Sequence, residues 1–154
     1  IQPVISKKAF DRILASIQTA VKIGARIVTG GARMKSPGYF IAPTILEVAD
    51  VSMDICTNEI FGPVMPLVKF TDSDDIIGIA NESEAGLASY VFTNRQDRVN
   101  EAMGRLQYGN ICVNGVHYSV QLPHGGLKQS GFGKDISHLC LEDYFDIKRV
   151  SIRR

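Results

Sequence analysis

The 154-residue chain carries 17 basic and 16 acidic side chains, and hydrophobic and charged residues make up 45% and 21% of it. This composition is typical of a globular domain and excludes the strongly basic balance of a nucleic-acid-binding protein. No apolar run approaches the roughly 20 residues that cross a bilayer, and no secretory signal pattern is present. Three cysteines far apart in sequence argue against a disulfide framework, so we expect a reducing compartment, the cytoplasm.

The first half of the chain predicts one helix followed by extended segments. We expect a helix over residues 6–24, because Ser6 is a favoured N-cap residue and Gly24 supplies a stop. Apolar residues recur there at three- and four-residue spacing. They are Phe10, Ile13, Leu14, Ile17 and Val21. A short strand then ends in a turn at Gly30–Gly31, and the extended segments YFIAP and TILEV meet at Pro43.

The second half alternates strands with helices. Strands are predicted at 64–70, 89–93 and 110–114. Between them, Asp72 or Ser73 is expected to cap a helix that reaches about Asn81, and Asn94 to cap a second one. This alternation predicts a three-layer α/β domain with a largely parallel sheet.

A glycine-rich loop, LPHGGLKQSGFGKD, follows the last of these strands at residues 122–135. Glycine gives up more backbone entropy than any other residue, so we expect neither an ordinary helix nor a strand here. The loop fails the P-loop pattern, because Phe132 stands where lysine must follow the second glycine. It also fails the dinucleotide fingerprint, because Ile136 occupies the third glycine position. The residues alone leave a plain surface connection and a functional loop both open.

A short helix at about 136–144 and a final segment that alternates like a strand complete the chain. Among the cysteines, Cys112 and Cys140 are expected in the core, since a free cysteine behaves as a small hydrophobe. Cys56 is interpreted as an incidental loop thiol. No pattern predicts a metal site.

Five motifs, in order, resemble the C-terminal part of the aldehyde dehydrogenase superfamily. They are NEIFGPV, GLASYVFT, GNICVN, PHGGLKQSGFGKD and LEDYFDIKRVSI. The opening segments PVISKKAFDRI, GARIVTGG and GYFIAPTILEV are similar to a part that these enzymes carry earlier in their catalytic domain. The resemblance covers essentially the whole chain. It implies that residues 1–144 are the C-terminal portion of the catalytic domain and that residues 145–154 are an oligomerisation strand.

The same resemblance implies that part of the enzyme lies outside this chain. In the family, a Rossmann-type cofactor domain precedes this segment, and the nucleophilic cysteine follows a Gly-Gln-x motif. No Gly-Gln pair precedes a cysteine here, and the first residue is Ile1 rather than methionine. We therefore expect a C-terminal part that holds no catalytic residue and is inactive alone.

The resemblance assigns roles to five residues. Glu59 stands where a carboxylate accepts hydrogen bonds from the nicotinamide-ribose hydroxyls of NAD or NADP, and Phe61 where an aromatic ring packs beside the nicotinamide. Leu87 falls near the cofactor, with plain core as an equal alternative. His124 stands in the loop that lines the aldehyde entrance, where many relatives carry an aromatic residue. Asp135 replaces a glutamate that is linked to a water path.

The leading hypothesis is thus an NAD(P)-dependent aldehyde dehydrogenase that works as a homo-oligomer, a dimer or a tetramer. LPHGGLKQSGFGKD and LEDY most resemble the branch that acts on ω-aminoaldehydes such as 4-aminobutyraldehyde, with betaine aldehyde as a near neighbour. The alternative is a naturally separate, non-catalytic α/β module that serves in assembly. The reading frame upstream of Ile1 separates the two: Gly-Gln-x-Cys after a Rossmann pattern favours the enzyme, and a start codon favours the module.

Overall fold

The computed structural model describes residues 2–153, which form two compact units, Ile1–Asp74 and Asp75–Arg154. The predicted regions 1–144 and 145–154 include Ile1 and Arg154, which lie outside the described residues. The first unit contains α1 (Lys7–Lys22), β1 (Arg26–Thr29), β2 (Thr44–Val48), α2 (Asp54–Thr57) and β3 (Val64–Val68). The second contains α3 (Ile76–Asn81), β4 (Ala85–Gly86), β5 (Ala88–Val91), α4 (Gln96–Arg105), β6 (Asn110–Val113), β7 (Leu127–Lys128) and a 3₁₀ helix (His138–Asp143).

Helix α1 forms as the sequence predicts. The Ser6 hydroxyl accepts a hydrogen bond from the backbone N–H of Ala9 at 3.2 Å, which satisfies one of the free donors of the first turn. After the helix, Gly24 adopts a φ of +112°, so its lack of a β-carbon allows the chain to turn away. The predicted apolar face is largely confirmed, with Phe10, Ile13 and Ile17 buried, but Val21 is exposed.

The core of the first unit lies between α1 and a three-stranded sheet in the order β1-β2-β3. The central strand β2 pairs antiparallel with β1 and parallel with β3. Along β2, Thr44, Leu46 and Val48 are buried and alternate with less buried neighbours, which is the period of a strand with one face on a core. Leu46 and Ile13 have no exposed surface at all.

In the second unit, β5 and β6 pair in parallel, from Ala88 opposite Asn110 to Val91 opposite Val113, and α4 is the helix between them in sequence. Parallel strands require such a crossover, so this unit is a βαβ arrangement. The β2–β3 pair of the first unit and the β5–β6 pair of the second are both parallel. The prediction of a mixed α/β fold with parallel pairing is therefore confirmed, although the described strands form three small sheets.

The glycine-rich loop is more regular than predicted. Its residues Leu127–Lys128 form β7, which pairs antiparallel with β4. The Ser130 hydroxyl also accepts a hydrogen bond from the backbone N–H of Gly86 at 2.9 Å. The expectation that no strand occurs in this loop was therefore wrong at β7. Because its glycines carry no side chains, the loop can approach the backbone of β4 closely. The backbone N–H and C=O groups of Leu127 and Lys128 can then pair with that strand.

The predicted helix starts were displaced by a few residues. Asp75, rather than Asp72 or Ser73, caps α3 by accepting from the backbone N–H of Gly78 at 3.1 Å. The earlier polar residues belong to a turn in which Asp74 accepts from the backbone N–H of Thr71 at 2.6 Å. A local turn thus competed successfully with the earlier cap.

Helix α4 begins after Arg95 rather than after Asn94. At the C-terminal end, the helix predicted at 136–144 is instead the 3₁₀ helix His138–Asp143. Ile136 and Ser137 have φ values of +50° and +58°, which an α-helix does not accommodate. The helix therefore starts later and stays short.

Residues 145–153 form no strand ladder within this chain and are exposed, with Ile147 96% accessible. Their predicted pairing with another subunit stays a prediction. Within residues 2–153, no helix combines the length and the apolar character that a membrane crossing needs.

Two glycines allow the packing of the second unit to be tested. A β-carbon on Gly109 would overlap the carbonyl oxygen of Gly125, whereas a β-carbon on Gly104, within α4, would meet nothing within 4 Å. In the full-length protein, we expect Gly109→Ala to lower the free energy of unfolding by about 1–3 kcal/mol, because backbone must shift. Gly104→Ala should raise it by about 0.5–1 kcal/mol, because alanine favours the helix.

Urea unfolding followed by circular dichroism measures both variants side by side. Equal unfolding free energies for the two would contradict the close backbone contact at Gly109.

Candidate functional site

In the first unit, the loop at residues 58–63 leads from α2 into β3 and is fastened to α1. The guanidinium group of Arg12 donates a hydrogen bond to the carbonyl oxygen of Ile60 at 2.7 Å. Gly62 lies so close to α1 that a β-carbon there would come within 2.6 Å of the Cδ1 atom of Ile13. Two contacts with α1, whose inner face is buried, therefore fix the backbone of this loop on both sides of Phe61.

The side chains of Glu59 and Phe61 project from this loop. Phe61 has a φ of +49°, which is unusual for a residue with a bulky side chain, and it is 78% exposed. Glu59 is exposed and has no hydrogen-bond or ion-pair partner among residues 2–153. The strained backbone persists because neighbouring contacts determine it, a situation that is common at ligand sites. The loop thus presents an unpaired carboxylate and an aromatic ring.

In the second unit, a cleft of about 420 Å³ brings together two of the predicted site residues, Leu87 and His124. Cys112, Tyr118 and Leu122 also line it. None of the described lining residues is Lys, Arg, Asp or Glu. The cleft is therefore largely apolar with a few polar groups, as is usual for a site that takes a small organic molecule.

Asp135 lies directly beside His124. The two residues exchange backbone hydrogen bonds: the N–H of His124 donates to Asp135 at 3.0 Å, and the N–H of Asp135 donates to His124 at 2.8 Å. Their side chains also meet, with 2.6 Å between Nδ1 of His124 and Oδ1 of Asp135. The structure thus joins two residues for which the sequence predicted separate roles. The water path predicted for Asp135 stays a prediction.

Two further residues position this cleft, and sequence reasoning missed both. The side-chain amide of Asn110 donates to the carbonyl oxygens of Leu87 at 2.9 Å and Gly125 at 3.2 Å, which ties the start of β6 both to the residue before β5 and to the glycine-rich loop. Gly109, the preceding residue, allows the close approach of Gly125. The motif GNICVN contained both residues, but nothing in a single sequence indicates which distant segment they contact.

The three cysteines are free and partly buried. Cys112 lines the cleft, and the thiol of Cys140 donates to the carbonyl oxygen of Ser137 at 3.0 Å. The expectation that these two lie in the core was thus wrong for this chain: the strand that carries Cys112 is only partly buried, and the 3₁₀ helix that carries Cys140 is mostly exposed. Burial, with a smaller contribution from the Asp50 carboxylate, raises the pKa of the Cys56 thiol above its ordinary value. Cys56 is therefore a poor nucleophile at neutral pH.

Comparisons with known proteins agree with this arrangement. The model of the aldehyde dehydrogenase family matches residues 1–150. The chloroplastic betaine aldehyde dehydrogenase of Beta vulgaris is 40% identical over 152 residues, which are 97% of this chain and 30% of that protein.

Two solved structures have the same fold. The aldehyde dehydrogenase of Mycobacterium tuberculosis complexed with NAD+ gives a TM-score of 0.86 at 34% identity and covers 94% of this chain and 30% of its own. An NADP-dependent enzyme of E. coli gives 0.89 at 38% identity, with coverages of 96% and 31%. The chain thus spans about a third of the length of the proteins that it matches. A family match over nearly the whole chain, supported by both structures, shows that the chain belongs to the aldehyde dehydrogenase family.

Proposed function

We propose that this chain is the C-terminal part of an NAD- or NADP-dependent enzyme that oxidises an aldehyde to the carboxylic acid. The observation that carries the proposal is the fastened loop at residues 58–63, which presents an unpaired carboxylate beside an exposed ring. The apolar cleft of the second unit supports it, because an aldehyde needs a largely apolar pocket with few polar groups. The two solved relatives are named for NAD+ and for NADP, and the proposal includes both cofactors.

The side chains of the loop at 58–63 fit the nicotinamide end of such a cofactor. An ionised carboxylate only accepts hydrogen bonds, and its two oxygens match the two hydroxyls of a ribose. Glu59 is free to do this, since no described residue occupies its oxygens. Phe61 offers an exposed ring face for packing. When bound, the cofactor supplies the two-electron oxidation of the aldehyde.

The cleft of the second unit would hold the aldehyde. Leu87 and Leu122 provide apolar wall, and His124 provides a polar group at the edge. We propose an ω-aminoaldehyde such as 4-aminobutyraldehyde as the substrate, on the strength of the loop motif. The cationic substrate in the name of the Beta vulgaris relative supports this choice. We place the enzyme in a reducing compartment, the cytoplasm, because the three cysteines of this chain are free.

Replacing Glu59 by glutamine tests the cofactor assignment. In the full-length enzyme, Glu59→Gln should weaken cofactor binding, because a charge-assisted hydrogen bond contributes more than a neutral one. We expect the cofactor KM to rise about ten- to a hundredfold at saturating aldehyde.

The control is Glu82→Gln, which removes an equally exposed carboxylate at the end of α3. A cofactor KM and a kcat that stay at wild-type values in Glu59→Gln would exclude Glu59 from the site.

We also propose that the 154-residue chain alone oxidises no aldehyde. The raised pKa of Cys56 leaves its thiol protonated, and no cysteine of the chain follows a Gly-Gln-x motif. Calorimetric titration of the chain with NAD should show no affinity tighter than about millimolar, since few contacts are available. Aldehyde-dependent NADH formation by this chain, if lost in Cys56→Ala, would overturn the proposal.

The last part of the proposal concerns assembly. Residues 145–153 are exposed, and polar Arg149 and Ser151 alternate with apolar Val150 and Ile152, as suits a strand that adds to the sheet of another subunit. We expect deletion of residues 145–154 from the full-length enzyme to dissociate its dimer or tetramer. Multi-angle light scattering of both proteins measures the change, and an unchanged oligomer mass would contradict it.

A further inference from the structure

The pairing of His124 with Asp135 does not depend on their side chains alone. Exposed ion pairs are weak, and both of these side chains are partly exposed, so their contact by itself would be loose. The two reciprocal backbone hydrogen bonds, however, set the residues directly opposite each other as in an antiparallel ladder. The backbone N–H of Ser137 also donates to Val120 at 2.9 Å, which holds the chain just after Asp135. The side chains therefore meet in a defined geometry.

This geometry determines which nitrogen of His124 faces other partners. A carboxylate can only accept, so Nδ1 of His124 carries the proton that Asp135 accepts. Nε2 has no hydrogen-bond partner among residues 2–153. In the neutral ring, Nε2 is therefore an acceptor. A substrate group that donates, such as an ammonium group, is the chemistry that an acceptor recognises.

The charge of the pair leads to the same substrate class. An isolated histidine carries a charge of 0 or +1, whereas a histidine beside an ionised aspartate gives a pair of charge −1 or 0. While its carboxylate is ionised, the pair is thus not cationic. The described lining of the cleft that His124 shares with Cys112 includes no Asp, Glu, Lys or Arg. A second cleft that His124 also lines includes Lys134, Asp135 and Asp143. Lys134 directs Nζ to the carbonyl oxygen of Gly126 at 3.3 Å, and its backbone N–H donates to Asp143.

We propose that Asp135 is a positioning residue that fixes the tautomer and the charge of His124, so that the pair selects aldehydes with a cationic, hydrogen-bond-donating far end over anionic ones. This inference rests on the proposed function, since it concerns selection among aldehydes. It assigns Asp135 a role that acts through His124, beside the water path, which stays a prediction.

Three aldehydes of similar length provide the test in the full-length enzyme: 4-aminobutyraldehyde (cationic), pentanal (neutral) and succinic semialdehyde (anionic). For each, kcat/KM is measured in the wild type, in Asp135→Asn and in Asp135→Glu. We expect Asp135→Asn to lower the ratio of kcat/KM for 4-aminobutyraldehyde to that for pentanal about tenfold, a change that corresponds to the loss of one charge-assisted hydrogen bond. The ratio of succinic semialdehyde to pentanal should rise. Asp135→Glu retains the carboxylate and should keep most of the cationic preference.

A double-mutant cycle separates positioning from general damage. In a His124→Phe background, Asp135→Asn should change neither ratio by more than about twofold, because the residue through which it acts is gone. Glu82→Gln is the control, since it removes a carboxylate charge from an exposed site of the same unit. If Asp135→Asn does not fold, His124→Phe alone must lower the cationic preference by the same factor.

Unchanged ratios in Asp135→Asn, or equal changes with and without His124, would overturn the inference. A wild-type enzyme that oxidises none of the three aldehydes would instead refute the proposed function. Oxidation of pentanal with unchanged ratios refutes only the role of Asp135.

Discussion

The close backbone contact between Gly109 and Gly125 is the constraint on which the rest of the second unit depends. It presses the glycine-rich loop against the start of β6, where no side chain would fit. From that contact the loop can pair with β4, receive the amide of Asn110 and bring His124 to the cleft. The glycine-rich loop, which its sequence suggests is mobile, is thus held in place beside the cleft.

The first unit also holds a loop in place, but with different contacts. Its loop at 58–63 meets the sheet at Pro63, whose carbonyl oxygen accepts from the backbone N–H of Thr44 at 2.8 Å. Before Pro63, a long polar side chain from α1, Arg12, and a glycine against Ile13 hold the loop. One face of α1 is buried in the core, so α1 is a rigid support for the loop that contacts it. Rigid support of this kind keeps an exposed carboxylate in one place without occupying its oxygens, which a binding group requires.

The sequence predicted helix α1, the strands β2, β3, β5 and β6, and the α/β class, because these depend on local caps and on hydrophobic periodicity. It missed β4, β7 and the pairing of His124 with Asp135, because these depend on contacts between residues far apart in the chain. Gly109 illustrates the difference: its identity is visible in the sequence, but the carbonyl that it must avoid belongs to a loop 16 residues later. Helix boundaries moved where a local turn at Thr71 competed with a predicted cap.

The central claim is the proposal that the loop at 58–63 binds the nicotinamide end of the cofactor in the full-length enzyme, whose nucleophile lies outside this chain. A crystal structure of the full-length protein with bound NAD or NADP tests it most directly. The account predicts the Glu59 carboxylate within hydrogen-bond distance, about 2.5–3.0 Å, of the nicotinamide-ribose hydroxyls. It also predicts a cysteine from outside residues 1–154 at the mouth of the cleft that His124 lines. A cofactor bound away from the loop at 58–63, with Glu59 facing solvent, would contradict it.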